Sequence, residues 1–199
     1  YNYFALKSGN GTGKTATLAL SILWLMSTHP MCRIQCTAPS EGQLFQGLWA
    51  ELDKWLRASY TLKDSILWTQ TKVMMRGYEA GWWAYARTAQ AKPGSQASES
   101  LQGVHSENNM AVIDEASGVE EGATAAVLGM LATGKSKVIM AGNPIRKSGL
   151  FYDAFNKDKH NWRRLHFNSE ESPIVDEKYV ERIVEKHGED SDEYRIRVL

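Results

Sequence analysis

Short apolar runs alternate along this chain with stretches whose apolar positions recur every three or four residues. The first kind reads as strand and the second as amphipathic helix. Residues 1–6 (YNYFAL) read as a strand. Residues 15–27 read as a helix, with Leu18, Ile22, Leu25 and Met26 on one face and Pro30 just past its end. Residues 33–38 (RIQCTA) form a short strand closed by Pro39. Residues 41–57 read as one helix, with Leu44, Leu48, Leu52, Trp55 and Leu56 at helical spacing. Residues 66–75 and 81–87 look like two strands around a turn at 77–81, and the Gly, Ser, Pro and Gln of 91–103 read as loop. Further on, 110–113, 137–141 and 162–167 read as strands, and 123–131 and 176–187 as helices. Short apolar strands alternating with helices predict an α/β fold, a mostly parallel sheet with helices on both faces, here with a β-hairpin elaboration around 66–87. In such a sheet the right-handed crossovers put the functional loops at the carboxyl ends of the strands.

The length of 199 residues suits one domain, and a hydrophobic fraction of 43% supplies its core. The 23 basic and 23 acidic side chains cancel, which excludes a domain that coats nucleic acid by bulk charge but leaves local patches open. The longest apolar run, 18–26, is about half of what a membrane span requires. No signal peptide pattern opens the chain. It begins inside a strand and stops as abruptly, as a piece lacking an upstream segment would. Cys32 and Cys36 have no companion Cys or His pair, so they read as buried reduced thiols rather than zinc ligands, in keeping with a cytosolic setting.

The most informative stretch is SGNGTGKT, from Ser8 to Thr15, lying between a strand and a helix. It matches a phosphate loop, G-x-x-x-x-G-K-[ST], except that Ser8 stands where the first Gly falls. Gly9, Gly11 and Gly13 allow backbone angles closed to other residues, so that the successive amides turn inward and cradle phosphate oxygens. The helix that follows adds its positive end. Lys14 brings a mobile charge to the β- and γ-phosphates, and the Thr15 hydroxyl is a hard ligand for Mg²⁺.

The buried strand AVI runs into Asp114 and Glu115. Asp114 suits the Mg²⁺ water shell, and Glu115 is placed to orient and deprotonate an attacking water. Taken alone, the pair reads equally as an acidic helix cap. A third strand, KVIMA, runs into Gly142-Asn143-Pro144, and Asn143 at its tip is placed to sense the γ-phosphate, or is a plain Asn-Pro turn.

In order, SGNGTGKT, TAPSEGQLFQGLW (37–49), QGVHSENNMAVIDEASG (102–118), AGNPIRKSGLFYDAF (141–155) and the closing stretch ending SDEYRIRVL resemble the ATPase domain of the large terminase subunit of tailed bacteriophages. The similarity covers essentially the whole chain. It implies a P-loop NTPase of the additional-strand, catalytic-glutamate type, forming one ATPase domain over 1–199. It also implies a Mg²⁺-dependent ATP hydrolase that drives double-stranded DNA into a procapsid. The family's nuclease domain would lie beyond this stretch, so no DNA cleavage is expected from it. The implied partners are double-stranded DNA, the portal protein and the small terminase subunit. A ring is expected when assembled, with a monomer in isolation, in the host cytoplasm and away from any membrane and the mature virion.

Residue by residue, the resemblance carries phosphate binding onto Ser8, Gly9, Asn10, Gly11, Thr12, Gly13, Lys14 and Thr15. It carries metal binding onto Thr15 and Asp114, catalysis onto Glu115 and Lys14, and coupling onto Asn143. Two departures stand out: Asn10 occupies the loop where many relatives have Arg, and Gln102 precedes the acidic strand where Arg is frequent. Arg87 and Arg146 are then the candidates for the arginine that stabilises transition-state charge, with solvated or salt-bridged roles as the alternative. Trp82, Trp83 and Tyr85 read as packing rather than base stacking. The five His, among them His105, show no metal spacing. Lys157, Lys159, Arg163 and Arg164, near Lys147, form a basic cluster suited to DNA phosphates or to plain solvation. A related helicase or translocase and a non-motor nucleotide switch are the rival functions.

Overall fold

The computed structural model describes residues 2–88, 106–120, 122, 124 and 135–199. The predicted loop at 91–103, most of the predicted helix at 123–131, Gln102 and His105 lie outside the described residues.

Eight strands among the described residues form one sheet: β1 (Tyr3–Ser8), β2 (Arg33–Thr37), β3 (Ile66–Trp68), β4 (Lys72–Met75), β5 (Trp83–Ala86), β6 (Asn109–Ile113), β7 (Lys137–Gly142) and β8 (Arg163–Phe167). Their order across the sheet is β3-β4-β5-β2-β6-β7-β1-β8. Every pairing from β5 to β8 is parallel, and only β3, β4 and β5 run as an antiparallel meander. The elaboration therefore has three strands, not two. Thr69 breaks the predicted 66–75 strand: its Oγ1 accepts from the Lys72 amide at 2.9 Å and donates to the Lys72 carbonyl at 2.7 Å, closing a tight turn.

Alternation along the central strands sorts side chains onto two faces. Leu6, Met110, Val112 and Ala141 join one core cluster, and Ala5, Ala111, Ile113, Val138 and Met140 join the other. The first face is covered by α1 (Lys14–Thr28) and by a continuous helical run that ends in α2 (Ala50–Ala58). The second is covered by the single turn 116–118 and α3 (Leu150–Phe155). A smaller cluster of Ile183, Tyr194 and Val198 joins α4 (Glu177–His187) to α5 (Asp192–Arg197). Asp176 and Ser191 cap these two helices, accepting from Lys178 N and Tyr194 N.

The predicted helix at 41–57 is continuous, but Gln43–Trp49 is wound as π-helix before α2 begins. Leu44, Leu48, Leu52 and Leu56 are all buried and repeat every four residues, a longer period than the 3.6 of an α-helix. On α-helix alone that ridge would drift off the sheet. A wider π turn absorbs the drift and brings Trp49 into the core as well.

Candidate functional site

The site lies at the carboxyl ends of β1, β6 and β7. β1 passes through the buried Ser8 into the glycine loop, and α1 starts at Lys14 with Gly13 in the left-handed region at φ 86°. Gly11 is also left-handed at φ 75°, so both bends need glycine. Ser8 Oγ and Thr12 Oγ1 share a hydrogen bond at 2.7 Å, which stitches the loop across its base. Ser8 thus fits where a glycine was expected and adds a bond. Lys14 Nζ folds back over the loop and donates to the Gly9 carbonyl at 2.8 Å. Burial lowers the Lys14 pKa, and the charges of Glu115 and Asp114 oppose that shift.

β7 is interposed between β1 and β6, yet the ends of β1 and β6 meet. Thr15 Oγ1 donates to Asp114 Oδ2 at 3.1 Å, and the Glu115 amide donates to Asp114 Oδ1 at 3.0 Å. Asp114 is 2% exposed. Burial, then the charge of Glu115, raises its pKa to about 6 against the pull of those two donors and Lys14. Two hard oxygens side by side on a buried, electron-rich carboxylate and a hydroxyl are the donor set that Mg²⁺ prefers. Glu115 itself takes a left-handed backbone at φ 47°, a cost that non-glycine residues meet at sites where geometry is over-determined. Gly142 makes room for that turn: a Cβ there would stand 3.0 Å from the Ala116 amide nitrogen. A cleft of about 470 Å³ opens over this arrangement, lined by residues 10–16, Glu51 and Glu115.

Asn143 follows β7 and is 7% exposed. Its carbonyl accepts from Ser117 Oγ at 2.5 Å, and its amide donates to Asn10 Oδ1 at 3.1 Å and to the Ile196 carbonyl at 2.8 Å. Asn10 is bonded at every polar group. Its side chain also donates to Tyr179 OH at 2.8 Å, its backbone amide donates to the Arg197 carbonyl at 2.7 Å, and its carbonyl accepts from Ser169 Oγ at 2.8 Å. The α4–α5 unit thereby grips the back of the loop. Only glycine fits at position 9, since a Cβ there would fall 2.2 Å from Ser169 Oγ and 2.4 Å from the Val198 carbonyl.

The family model for the phage terminase large subunit matches residues 1–199. The chain belongs to the phage terminase large subunit family. It is 28% identical, over 99% of its length, to a probable large terminase subunit of Enterobacteria phage P7, and spans 42% of that relative. Among solved structures it is similar to the large terminase of a thermophilic bacteriophage (TM-score 0.74, 15% identity, all of this chain and 48% of that one). The same terminase in complex with ADP gives a TM-score of 0.70 at 15% identity, over 99% of this chain and 47% of that one. The large terminase ATPase domain of Thermus phage P74-26 gives 0.68 at 11% identity, over 99% of this chain and 87% of that domain. At these identities the structures establish the fold, that of the large terminase ATPase domain, a P-loop NTPase.

Within this terminase fold the sequence-derived site residues fall in two groups. Ser8 to Thr15, Asp114, Glu115 and Asn143 come together. Arg87 and Arg146 do not line the cleft: Arg87 donates its backbone amide to the Cys36 carbonyl and lays its guanidinium over Tyr85, 5.7 Å from the ring centroid, and Arg146 is exposed. Cys32 and Cys36 are free and buried, and no group of metal-binding side chains occurs elsewhere among the described residues. Trp82 packs against the core, and Trp83 packs against Tyr85, Arg33 and Lys72. No helix among the described residues is long and apolar enough to cross a membrane. Three residues escape sequence reasoning. Glu51 faces the cleft, its Oε1 accepting from Trp55 Nε1 at 2.7 Å and from Lys54 Nζ at 3.0 Å. Tyr179 and Ser169 reach Asn10 across more than 150 positions, which no local pattern encodes.

Proposed function

We propose that this chain is the ATP-hydrolysing part of a genome-packaging motor that drives double-stranded DNA into a procapsid. The observation that carries the reading is the bond between Thr15 and Asp114 at 3.1 Å, with Glu115 lining the same cleft as the glycine loop. It joins a phosphate cradle, a metal-binding pair and a general base in one place.

The loop amides beyond Asn10, together with Lys14, would hold the phosphates of ATP, and Thr15 and Asp114 would hold Mg²⁺, which would supply neutralisation of phosphate charge. The Glu115 carboxylate accepts a proton from a water aligned for in-line attack on the γ-phosphorus. Asn143 links this event to the α4–α5 unit through Asn10 and Ile196. A transition-state arginine comes either from Arg87 or Arg146 after rearrangement or from another subunit of a ring. DNA, portal and small subunit are the partners this role calls for, in the host cytoplasm. Lys147, Lys159, Arg163 and Arg164 are exposed cations suited to DNA phosphates, Arg163 and Arg164 on opposite faces of the edge strand β8. Lys157 beside them is committed in part to Asp153 at 2.9 Å.

Steady-state ATP turnover with Mg²⁺, with and without linear double-stranded DNA, tests the reading. Turnover that collapses in Glu115→Gln while nucleotide still binds is the expected result. Equal turnover in both would refute the assignment of Glu115. Reversing the charges of Lys159 and Arg164 is expected to flatten the salt dependence of DNA binding, and an unchanged slope would remove DNA from those side chains.

A further inference from the structure

Among the described residues lining the phosphate cleft, Glu51 alone comes from neither the glycine loop and α1 nor the acidic pair. Its helical run follows β2, the neighbour of β6 in the sheet, so Glu51 enters the cleft from the side on which Glu115 stands. A carboxylate on the wall of a phosphate site repels its ligand unless a cation accompanies it. Lys14 is the only cation among the described lining residues, against Glu51 and Glu115 and the neighbouring Asp114. A second cation stands one step outside the lining. Lys54 Nζ donates to Glu51 Oε1 at 3.0 Å and lies 5.3 Å from the Trp55 ring centroid. The same oxygen accepts from Trp55 Nε1, and Trp55 packs against the core. Glu51 thus has one fixed partner and one mobile partner, since the Lys54 side chain is 65% exposed. An exposed pair of this kind contributes little to stability.

We infer that Lys54 is a second catalytic cation, held at the cleft wall by Glu51, which donates to the terminal phosphate of a bound nucleoside triphosphate and stabilises the charge that develops there during hydrolysis. The inference rests on the reading of the glycine loop as a nucleotide phosphate site and deepens it. An ammonium carries three donors, so Lys54 keeps Glu51 on one and offers another to a phosphate oxygen. Its flexible stem makes that turn without unpacking the helix, and Glu51 stays in place because Trp55 holds it. Lys14 reaches the phosphates from the loop and Lys54 reaches them from α2, on the side of Glu115. No other described side chain is placed for this duty. Arg87 and Arg146 do not line the cleft, and the Asn10 side chain is taken by Tyr179 and Asn143. A diphosphate lacks the group that Lys54 addresses, so the contact separates triphosphate from diphosphate.

The test is calorimetric titration, with Mg²⁺, of the wild type, Lys54→Ala and Lys54→Arg with ADP and with the slowly hydrolysed ATPγS. Lys54 is exposed and belongs to no core cluster, so both variants are expected to fold, and ADP binding reports that they do. Lys54→Ala is expected to bind ATPγS about tenfold more weakly, the loss of one charge-assisted bond, and ADP as the wild type does. Lys54→Arg keeps the charge and is expected to restore ATPγS binding. At saturating ATP the turnover of Lys54→Ala is expected to fall about tenfold or more. Unchanged ATPγS affinity in Lys54→Ala, or equal losses for ADP and ATPγS, would overturn the contact with the terminal phosphate. Weaker ATPγS binding with kcat unchanged would overturn the catalytic role. A wild type that binds neither nucleotide would bring down the phosphate-loop reading and this inference with it, an outcome that is distinct because it involves no variant.

Discussion

Asn143 and Asn10, 133 positions apart, are joined side chain to side chain by a 3.1 Å hydrogen bond from Nδ2 to Oδ1. The same Asn143 amide reaches the Ile196 carbonyl, so one side chain ties the tip of β7 to both the glycine loop and α5. Because the two asparagines share partners, their contributions are not independent. Asn143→Ala and Asn10→Ala are each expected to destabilise the protein by about 1 kcal/mol. The double variant is expected to lose less than the sum, by about 0.5 kcal/mol or more. Urea unfolding of the four proteins measures this coupling, and strict additivity would show that the bond contributes nothing.

Glu115, the proposed general base, sits on a strained backbone. Replacing it by Gln keeps the side chain's shape and removes its basicity, so hydrolysis is expected to fall by about two to four powers of ten with nucleotide affinity kept. Replacing it by Gly relieves the left-handed conformation at φ 47°. That variant is expected to match or exceed the wild type in stability, by up to about 1 kcal/mol, and to be inactive. Thermal unfolding beside single-turnover hydrolysis separates the two effects. A Gly variant markedly less stable than wild type would mean that the strain is not there.

The buried Asp114 gives the nucleotide-free protein a pH signature. Its folded-state pKa of about 6 lies above the ordinary 3.8, so between those values the folded protein holds a proton that the unfolded chain has released. Stability contributed by the protonated form is therefore present below about pH 4 and is lost as pH rises through about 6. At pH 7 Asp114→Asn is expected to be the more stable protein by at most about 3 kcal/mol, with the gap closing towards pH 4. Melting temperatures across that range check the sign, and a gap that widens in acid would contradict it.

The two cysteines are expected to be chemically silent. Burial pushes the Cys32 thiol up to about 12 and the fully enclosed Cys36 higher still. Neither forms thiolate at pH 8 in the folded state. A disulfide-exchange reagent should titrate no thiol before unfolding and two after it, at the rate of unfolding. Prompt reaction of either in the native protein would place it at the surface.

The strands that carry the site are readable in the sequence because each is a short apolar run ended by its own polar or glycine signal, as in AVI before Asp114 and KVIMA before Gly142. Ser8 to Thr15 is legible for the same reason, since loop chemistry and flanking elements are local. Thr69 gives no sign of a break because a threonine turn leaves the β-rich pattern around it intact. α5 escapes the pattern although Ser191 and the acids after it carry a capping signal, because six residues are too few to show a period. The left-handed Glu115 and the α4–α5 grip on Asn10 depend on packing between distant segments, which periodicity does not see.

The insertion of β7 between β1 and β6 also bears on how the molecule comes to be folded. The glycine loop and the acidic pair have no shared ladder, so their 3.1 Å contact exists only after β7, which follows both in sequence, has slid into the gap. Closing that gap is a long-range, slow event of the kind that governs rates in parallel sheets. A chain emerging from the ribosome would therefore hold its phosphate loop long before it holds a working centre. Onset of turnover during refolding would then clock the locking of the middle of the sheet, later than helix formation in α1.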